Sequence, residues 1–132
     1  MQYSVRTHDQ LLDLSSPRVM AIINITPDSF YTSCQTLSED EVLSAAEQAI
    51  ADGADILDLG ACSTRPDSTP IDAAEEWCRL APALRAIRHH WKDVILSVDT
   101  FRADIADKAL VDSLFEQYRL SMAVKQNPPF GM

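Results

Sequence analysis

Three polar side chains that could do chemistry come directly after apolar stretches of the sequence or in the loops that follow them: Asn24, Arg65 and Asp99. The amide oxygen of Asn24 is a hard donor that suits Mg²⁺, which usually keeps several waters and needs few protein ligands. The guanidinium of Arg65 is a rigid fork that matches phosphate or carboxylate. The carboxylate of Asp99 can accept a pair of hydrogen bonds. These residue types suit the binding of a small anionic molecule.

Each of the three residues also has a purely structural interpretation. Asn24 could cap the turn between a strand and a loop, and an isolated Arg65 would ordinarily form a surface ion pair. Asp99, or Thr100 beside it, could cap the helix that follows. The residue types alone therefore leave both interpretations open, and the surrounding pattern has to decide between them.

Strands that alternate with helices must position these residues. Val19–Ile23, Ile56–Leu59 and Val94–Val98 are short apolar runs, typical of strands buried on both faces. Such alternation predicts an α/β fold with a parallel sheet, and functional residues belong at the C-terminal ends of its strands. Three units fit either an open doubly wound sheet or the first part of a barrel, and periodicity does not separate the two.

The helices between the strands have recognisable ends. Ser38 and Asp72 each precede an apolar stripe with a glutamate three residues later, which predicts that they are N-caps. Gly53 suits the C-terminal stop of the first helix. Pro82 should kink the second helix or divide it in two. The third helix is predicted to begin at about Arg102.

Composition limits the classes of function. The chain has 132 residues and a net charge of −9, which argues against nucleic acid and anionic membrane as partners. No apolar run is long enough to cross a bilayer, and no export signal is apparent. The three cysteines show no paired spacing, so we expect reduced thiols and a cytoplasmic location. We assign residues 1–132 to one partial domain, with 1–18 as an N-terminal extension and 121–132 as an irregular tail.

Three motifs, in this order and spacing, resemble the signatures of the dihydropteroate synthase family in its N-terminal half. They are Asn24-Ile25-Thr26-Pro27-Asp28-Ser29-Phe30, Ser63-Thr64-Arg65-Pro66 and Ser97-Val98-Asp99-Thr100. The resemblance implies a (β/α)₈ TIM-type barrel, of which this chain would contain the first βαβαβα units, since a whole barrel takes about 250 residues. It also implies a magnesium-assisted transferase of folate biosynthesis, which joins hydroxymethyl-dihydropterin pyrophosphate to p-aminobenzoate and releases dihydropteroate and pyrophosphate.

The same resemblance implies roles for individual residues. Asp99 would bind the amino-pyrimidine edge of the pterin, and Asn24 would bind Mg²⁺. Arg65 would lie near the pyrophosphate or the benzoate, and Phe30 would wall the aminobenzoate ring. The substrate-binding residues are thus predicted to be Phe30, Thr64, Arg65, Pro66 and Asp99. A loop over the substrate would be formed by Thr26, Pro27, Asp28 and Ser29. No catalytic residue is assigned.

The resemblance stops at about Leu110, beyond which the later motifs of the family are not found. Half a barrel exposes a strand edge and apolar side chains, so it would need a partner, and a homodimer is one solution. Three hypotheses follow. In the first, the chain is a dihydropteroate synthase. In the second, it is a truncated, non-catalytic fragment that retains partial pterin or pyrophosphate binding or pairs with another chain. In the third, which has less support, it is a pterin-dependent methyltransferase domain. The Ser-Thr-Arg-Pro motif favours the synthase over the methyltransferase.

Overall fold

The computed structural model describes residues 3–7, 10–25, 39–62, 71–115 and 121–126, with side chains as far as residue 112. In chain order the elements within these residues are β1 (Ser4–Arg6), β2 (Leu11–Asp13), β3 (Met20–Asn24), α1 (Glu39–Ala51), β4 (Ile56–Gly60), α2 (Ala73–His90), β5 (Ile95–Thr100), α3 (Ala103–Phe115) and β6 (Ser121–Gln126). None of the described helices has the length and apolar character needed to span a bilayer.

The main sheet is parallel and has the order β3-β4-β5-β6. Side chains alternate between its two faces. The face toward the helices carries Leu57, Leu59, Leu96 and Val98. These side chains pack with residues from all three helices in one hydrophobic core, including Val42, Ala46, Leu80, Leu84, Ile87, Ile105 and Ala109. The described helices thus cover one face of the sheet, as the outer helices of a barrel do. The predicted α/β fold with parallel strands is confirmed.

Local signals positioned most of the helix ends correctly. Asp72 caps α2, since its carboxylate accepts a hydrogen bond from the backbone N–H of Glu75 at 2.8 Å. Gly53 follows α1 with a φ of 100°, a left-handed conformation that favours glycine. α2 runs without interruption from Ala73 to His90 and contains Pro82, so Pro82 does not divide it. Ser38 lies outside the described residues.

The structure differs from the sequence-based predictions, or adds to them, at four places. β5 extends through Asp99 to Thr100, and the carbonyl of Arg102 accepts the first helical hydrogen bond of α3, so Asp99 is not its N-cap. Ser121–Gln126, expected to be irregular, forms β6 and pairs with β5. The N-terminal extension contains the antiparallel pair β1–β2. Cys78 is disulfide-bonded, which corrects the expectation of three reduced thiols.

Candidate functional site

Asn24, Gly60 and Asp99 lie side by side in one row across three parallel strands. The register pairs Asn24 with Gly60 and Gly60 with Asp99. Residues in register share a face of the sheet, so the side chains of Asn24 and Asp99 flank a position that has none. A Cβ added to Gly60 would lie 3.7 Å from Cβ of Asp99 and 3.9 Å from its Oδ2. The backbone of Lys125 on β6 continues the row beyond Asp99.

This row lies at the end of the sheet, on the face opposite the helices. The side chain of Asn24 is exposed and that of Asp99 is partly buried. The arrangement offers an amide oxygen and a carboxylate on either side of a flat glycine floor. Its chemistry suits a planar molecule with hydrogen-bond donors along one edge, because a ring can lie against Gly60 and direct those donors at Asp99.

A second polar pair lies one step further down the same face. Asp58 and Ser97 are paired through the register and are almost completely buried. The hydroxyl of Ser97 donates a hydrogen bond to Oδ1 of Asp58 at 2.7 Å. Asp58 was not among the predicted site residues, although a carboxylate in the middle of an apolar strand is unusual and is a signal in the sequence. The pair gives the candidate site a polar base.

Behind the row, Glu76 of α2 connects the ends of β4 and β5. Its side chain is 1% exposed. Oε2 accepts a hydrogen bond from the hydroxyl of Thr100 at 2.7 Å, and Oε1 accepts one from the thiol of Cys62 at 3.2 Å. Arg102 completes the cluster, since its Nη1 lies 3.0 Å from Oε1 of Glu76. We call Cys62, Glu76, Thr100 and Arg102 the Glu76 cluster.

Arg102 extends the Glu76 cluster to the far end of the loop that follows β4. Its Nη2 donates a hydrogen bond to the carbonyl of Ile71 at 2.6 Å, and its Nη1 lies 3.9 Å from Sγ of Cys62. The guanidinium also lies over the ring of Phe101, 4.4 Å from the ring centroid. Cys62 and Ile71, which are far apart in the described sequence, are therefore joined through Glu76 and Arg102.

The surroundings of Cys62 keep its thiol protonated. Burial and the neighbouring Glu76 carboxylate raise the pKa of Cys62 to about 11, although Arg102 acts in the opposite direction. A thiol with so high a pKa is a poor nucleophile at neutral pH. The geometry therefore favours a structural role for Cys62, as a hydrogen-bond donor to Glu76.

Of the predicted site residues, the described structure places Asn24 and Asp99, and it brings them into one row. The others lie outside the described residues: Thr26, Pro27, Asp28, Ser29, Phe30, Thr64, Arg65 and Pro66. Glu76 and Arg102 were not among the site residues predicted from the sequence. The signal for Glu76 was its spacing, because it precedes the buried Leu80 and Leu84 by four and eight residues and so belongs to the buried stripe of α2.

A magnesium ion fits the described residues only as an ion shared with a ligand. Among the side chains that the structure describes, no three acidic, histidine or cysteine groups converge as a metal cluster would require. Asn24 offers one hard oxygen at the exposed end of β3. Because Mg²⁺ accepts one or two protein ligands when water and phosphate oxygens complete its shell, this donor set is compatible with it.

Comparison with known proteins identifies the family. The family model described as pterin binding enzyme matches residues 20–116, which include β3 to α3 and the whole described row on β3, β4 and β5. The chain belongs to the pterin-binding enzyme family. It is 39% identical over 102 residues to the dihydropteroate synthase of Haemophilus influenzae, covering 77% of this chain and 37% of that protein.

Other relatives show the same partial coverage. The inactive dihydropteroate synthase 2 of Mycobacterium leprae is 41% identical over 88 residues, covering 67% of this chain and 30% of its own length. The solved dihydropteroate synthase of Xanthomonas albilineans, bound to 4-aminobenzoic acid, superimposes with a TM-score of 0.73 at 31% identity over 85% of this chain and 41% of that one. The chain thus spans less than half the length of these members of the pterin-binding family, and its sheet corresponds to the first units of their barrel, which it does not close.

Proposed function

We propose that this chain contributes the N-terminal part of a dihydropteroate synthase site, which joins hydroxymethyl-dihydropterin pyrophosphate to p-aminobenzoate in folate biosynthesis. The observation that carries the proposal is the row Asn24–Gly60–Asp99 at one edge of the sheet. It brings together the ends of the three strands that contain or precede the three motifs. Membership of the pterin-binding family and the names of its relatives support the same activity.

Asp99 is the proposed anchor for the pterin. Its carboxylate lies beside a residue without a side chain, so a flat ring can rest on Gly60 while its amino-pyrimidine edge donates two hydrogen bonds to Asp99. Charge-assisted hydrogen bonds of this kind are about twice as strong as neutral ones. Asp99 would thus fix both the position and the orientation of the ring.

The pyrophosphate end of the substrate requires cations, because the chain carries a net charge of −9. In the proposal, Arg65 binds the pyrophosphate or the benzoate with Thr64 and Pro66 beside it, and Phe30 walls the aminobenzoate ring. The segment Thr26–Ser29 closes over the bound substrates and excludes water. Asn24 would hold Mg²⁺, which when bound supplies positive charge to the leaving pyrophosphate.

The proposed reaction is a displacement at the methylene carbon of the pterin. The arylamine nitrogen forms a C–N bond, the C–O bond to pyrophosphate breaks, and the nitrogen loses a proton. Such a reaction depends chiefly on orientation and charge stabilisation. Asp99 orients the electrophile, and no described side chain is assigned as the proton acceptor.

A second hypothesis is a non-catalytic half-site that binds pterin or pyrophosphate, or pairs with another chain. One observation favours it: a relative that is 41% identical over 88 residues is named an inactive dihydropteroate synthase. A homodimer could supply further side chains to the row. A cytoplasmic location belongs to both hypotheses and would be checked by microscopy of a fluorescent fusion.

One experiment separates the two hypotheses. The purified chain is incubated with Mg²⁺, hydroxymethyl-dihydropterin pyrophosphate and p-aminobenzoate, and dihydropteroate is measured by chromatography. Binding of the pterin pyrophosphate is titrated calorimetrically in parallel. Product above background supports the synthase, and binding without product supports the half-site. Neither signal from a sample that circular dichroism shows to be folded would contradict both the synthase and a half-site that binds the pterin pyrophosphate.

A further inference from the structure

We infer that Glu76 is a positioning residue that, directly and through Arg102, holds Cys62 and Ile71 against the end of β5, and so fixes Asp99 for its ligand. The inference rests on the proposed function, because it concerns the same site. It assigns Glu76 no contact with the substrate. Glu76 acts through Thr100, Cys62 and Arg102.

The burial of Glu76 calls for a reason beyond stability. A carboxylate that is 1% exposed loses nearly all its hydration, and a buried ion pair seldom recovers more than that cost. The charge on Glu76 is matched by Arg102 at 3.0 Å, and that guanidinium is itself only partly buried. An apolar residue in this stripe of α2 would give comparable stability. What the carboxylate adds is a fixed arrangement of the side chains that hydrogen-bond to it.

Those partners come from separate parts of the chain that meet at the candidate site. Cys62 follows β4, Thr100 ends β5, and Arg102 reaches the carbonyl of Ile71 at the start of the segment before α2. The hydroxyl of Thr100 also accepts a hydrogen bond from the backbone N–H of Arg102 at 3.1 Å. One carboxylate thereby sets the relative positions of two strand ends and one loop end.

The consequence reaches Asp99 through the backbone. Thr100 is adjacent to Asp99 in β5, and successive side chains point to opposite faces of the sheet. The hydrogen bond from Thr100 to Glu76 therefore holds the strand end from behind while Asp99 faces the ligand. Loss of that hydrogen bond would let the end of β5 rotate and would misdirect the Asp99 carboxylate.

The test compares Glu76→Gln with Glu47→Gln, which removes the same charge from an exposed position on α1. Glutamine keeps the size of the side chain, but it is uncharged and has one acceptor oxygen in place of two. It therefore cannot accept hydrogen bonds from Thr100 on one side and from Cys62 and Arg102 on the other. We expect Glu76→Gln to weaken binding of hydroxymethyl-dihydropterin pyrophosphate about tenfold in the folded protein, since a misdirected Asp99 loses charge-assisted hydrogen bonds to the ligand. Glu47→Gln should bind as the wild type does. Titrations well below the melting temperature separate positioning from stability.

Thr100→Val provides the matched second variant. If Glu76 acts through Thr100, the double variant Glu76→Gln/Thr100→Val should bind no more weakly than the weaker of the two single variants. A purely structural role would lower the melting temperature while the folded fraction bound the pterin normally. Wild-type affinity in folded Glu76→Gln would overturn the inference.

A ligand-free measurement keeps the inference separate from the proposed function. Alkylation of Cys62 by iodoacetamide at mildly alkaline pH, followed by peptide mass spectrometry, reports the contact between Cys62 and Glu76. We expect at least about threefold faster alkylation in Glu76→Gln, because the thiol ionises more readily without the carboxylate. Unchanged alkylation would overturn the inference, whether or not the wild-type chain binds the pterin. Absence of pterin binding in the wild type would by itself count only against the proposed function.

Discussion

At the scale of single residues, Asp99 is the side chain on which the proposed ligand depends most. We expect Asp99→Ala to weaken pterin binding at least about tenfold, equivalent to about 1.4 kcal/mol, because a charge-assisted contact is lost. Asp99→Asn is the matched control, since it keeps the shape and one acceptor oxygen and should lose less. Calorimetric titration measures both variants. Unchanged affinity in folded Asp99→Ala would remove Asp99 from the site.

Cys62 gives the molecule a specific response to alkaline pH. The pKa of its thiol is about 11 in the folded protein, chiefly through burial and then through Glu76. A thiol in the unfolded chain ionises near its ordinary pKa of about 8.5, so between that pH and 11 the unfolded state binds fewer protons than the folded state. The free energy of unfolding should therefore fall as pH rises through this range.

Cys62→Ser isolates the contribution of this thiol from those of tyrosines and lysines that titrate nearby. We expect the serine variant to lose less stability than the wild type between neutral pH and pH of about 11, as measured by urea denaturation at a series of pH values. Parallel pH profiles for the two proteins would show that Cys62 does not have a raised pKa.

The sequence also indicated that Asn24 and Asp99 lie at the ends of parallel strands in one sheet, and their roles in binding stay predictions. Asn24 and Asp99 were predicted because each comes at the end of an apolar run, where a parallel sheet gathers its functional residues. Glu76 and Arg102 were missed as members of the site because their importance comes from partners distant in sequence. Glu76 contacts Thr100, 24 residues away, and Arg102 contacts Ile71, 31 residues away. No local pattern encodes those pairings.

At the scale of elements, the buried strands were predictable and the peripheral strands were not. β3, β4 and β5 each contain a short run rich in apolar residues, and alternate members of these runs pack in the core beneath the helices. β1 has three exposed residues and β2 has two exposed residues out of three, so neither produces a hydrophobic signal. β6 owes its extended form to hydrogen bonding with β5, which is a tertiary interaction. Hydrogen bonding to a neighbouring strand, and not the intrinsic strand propensity of their residues, forms β1, β2 and β6.

Pro82 provides a stability test within α2. Proline inside a helix cannot donate the i→i−4 hydrogen bond, and its ring crowds the preceding turn. The residue lies on the exposed side of α2, so replacing it removes no core packing. We expect Pro82→Ala to raise the free energy of unfolding by about 1–3 kcal/mol in urea denaturation.

Pro17→Ala is the control for that experiment. Pro17 is exposed and lies outside any helix, so its replacement mainly frees the unfolded chain and should lower stability by no more than about 1 kcal/mol. The two substitutions are thus expected to have opposite signs. A loss of stability in Pro82→Ala would mean that α2 requires the proline geometry for its packing against the sheet.

At the scale of the whole molecule, the described part is a sheet covered by helices on one face, with apolar groups exposed on the other. Ile22 lies on the same face as Asn24 and is 75% exposed, and Val19 just before β3 is 56% exposed. Within the described residues, β3 pairs with β4 and has no second neighbour. An exposed strand edge with apolar side chains favours association with another chain. The net charge of −9 opposes association of two identical copies.

These opposing effects predict self-association that strengthens with salt, because salt screens the repulsion between copies and leaves the apolar contact intact. Sedimentation velocity at low and high salt should show a larger share of dimer at high salt. Ile22→Glu should abolish that species, since a carboxylate in the contact is costly to bury. Leu11→Glu, at a residue 70% exposed on β2, adds the same charge away from the edge of β3 and should leave more dimer. If Ile22→Glu and Leu11→Glu reduce the dimer equally, net charge governs association, and the edge at β3 is not where a second chain binds.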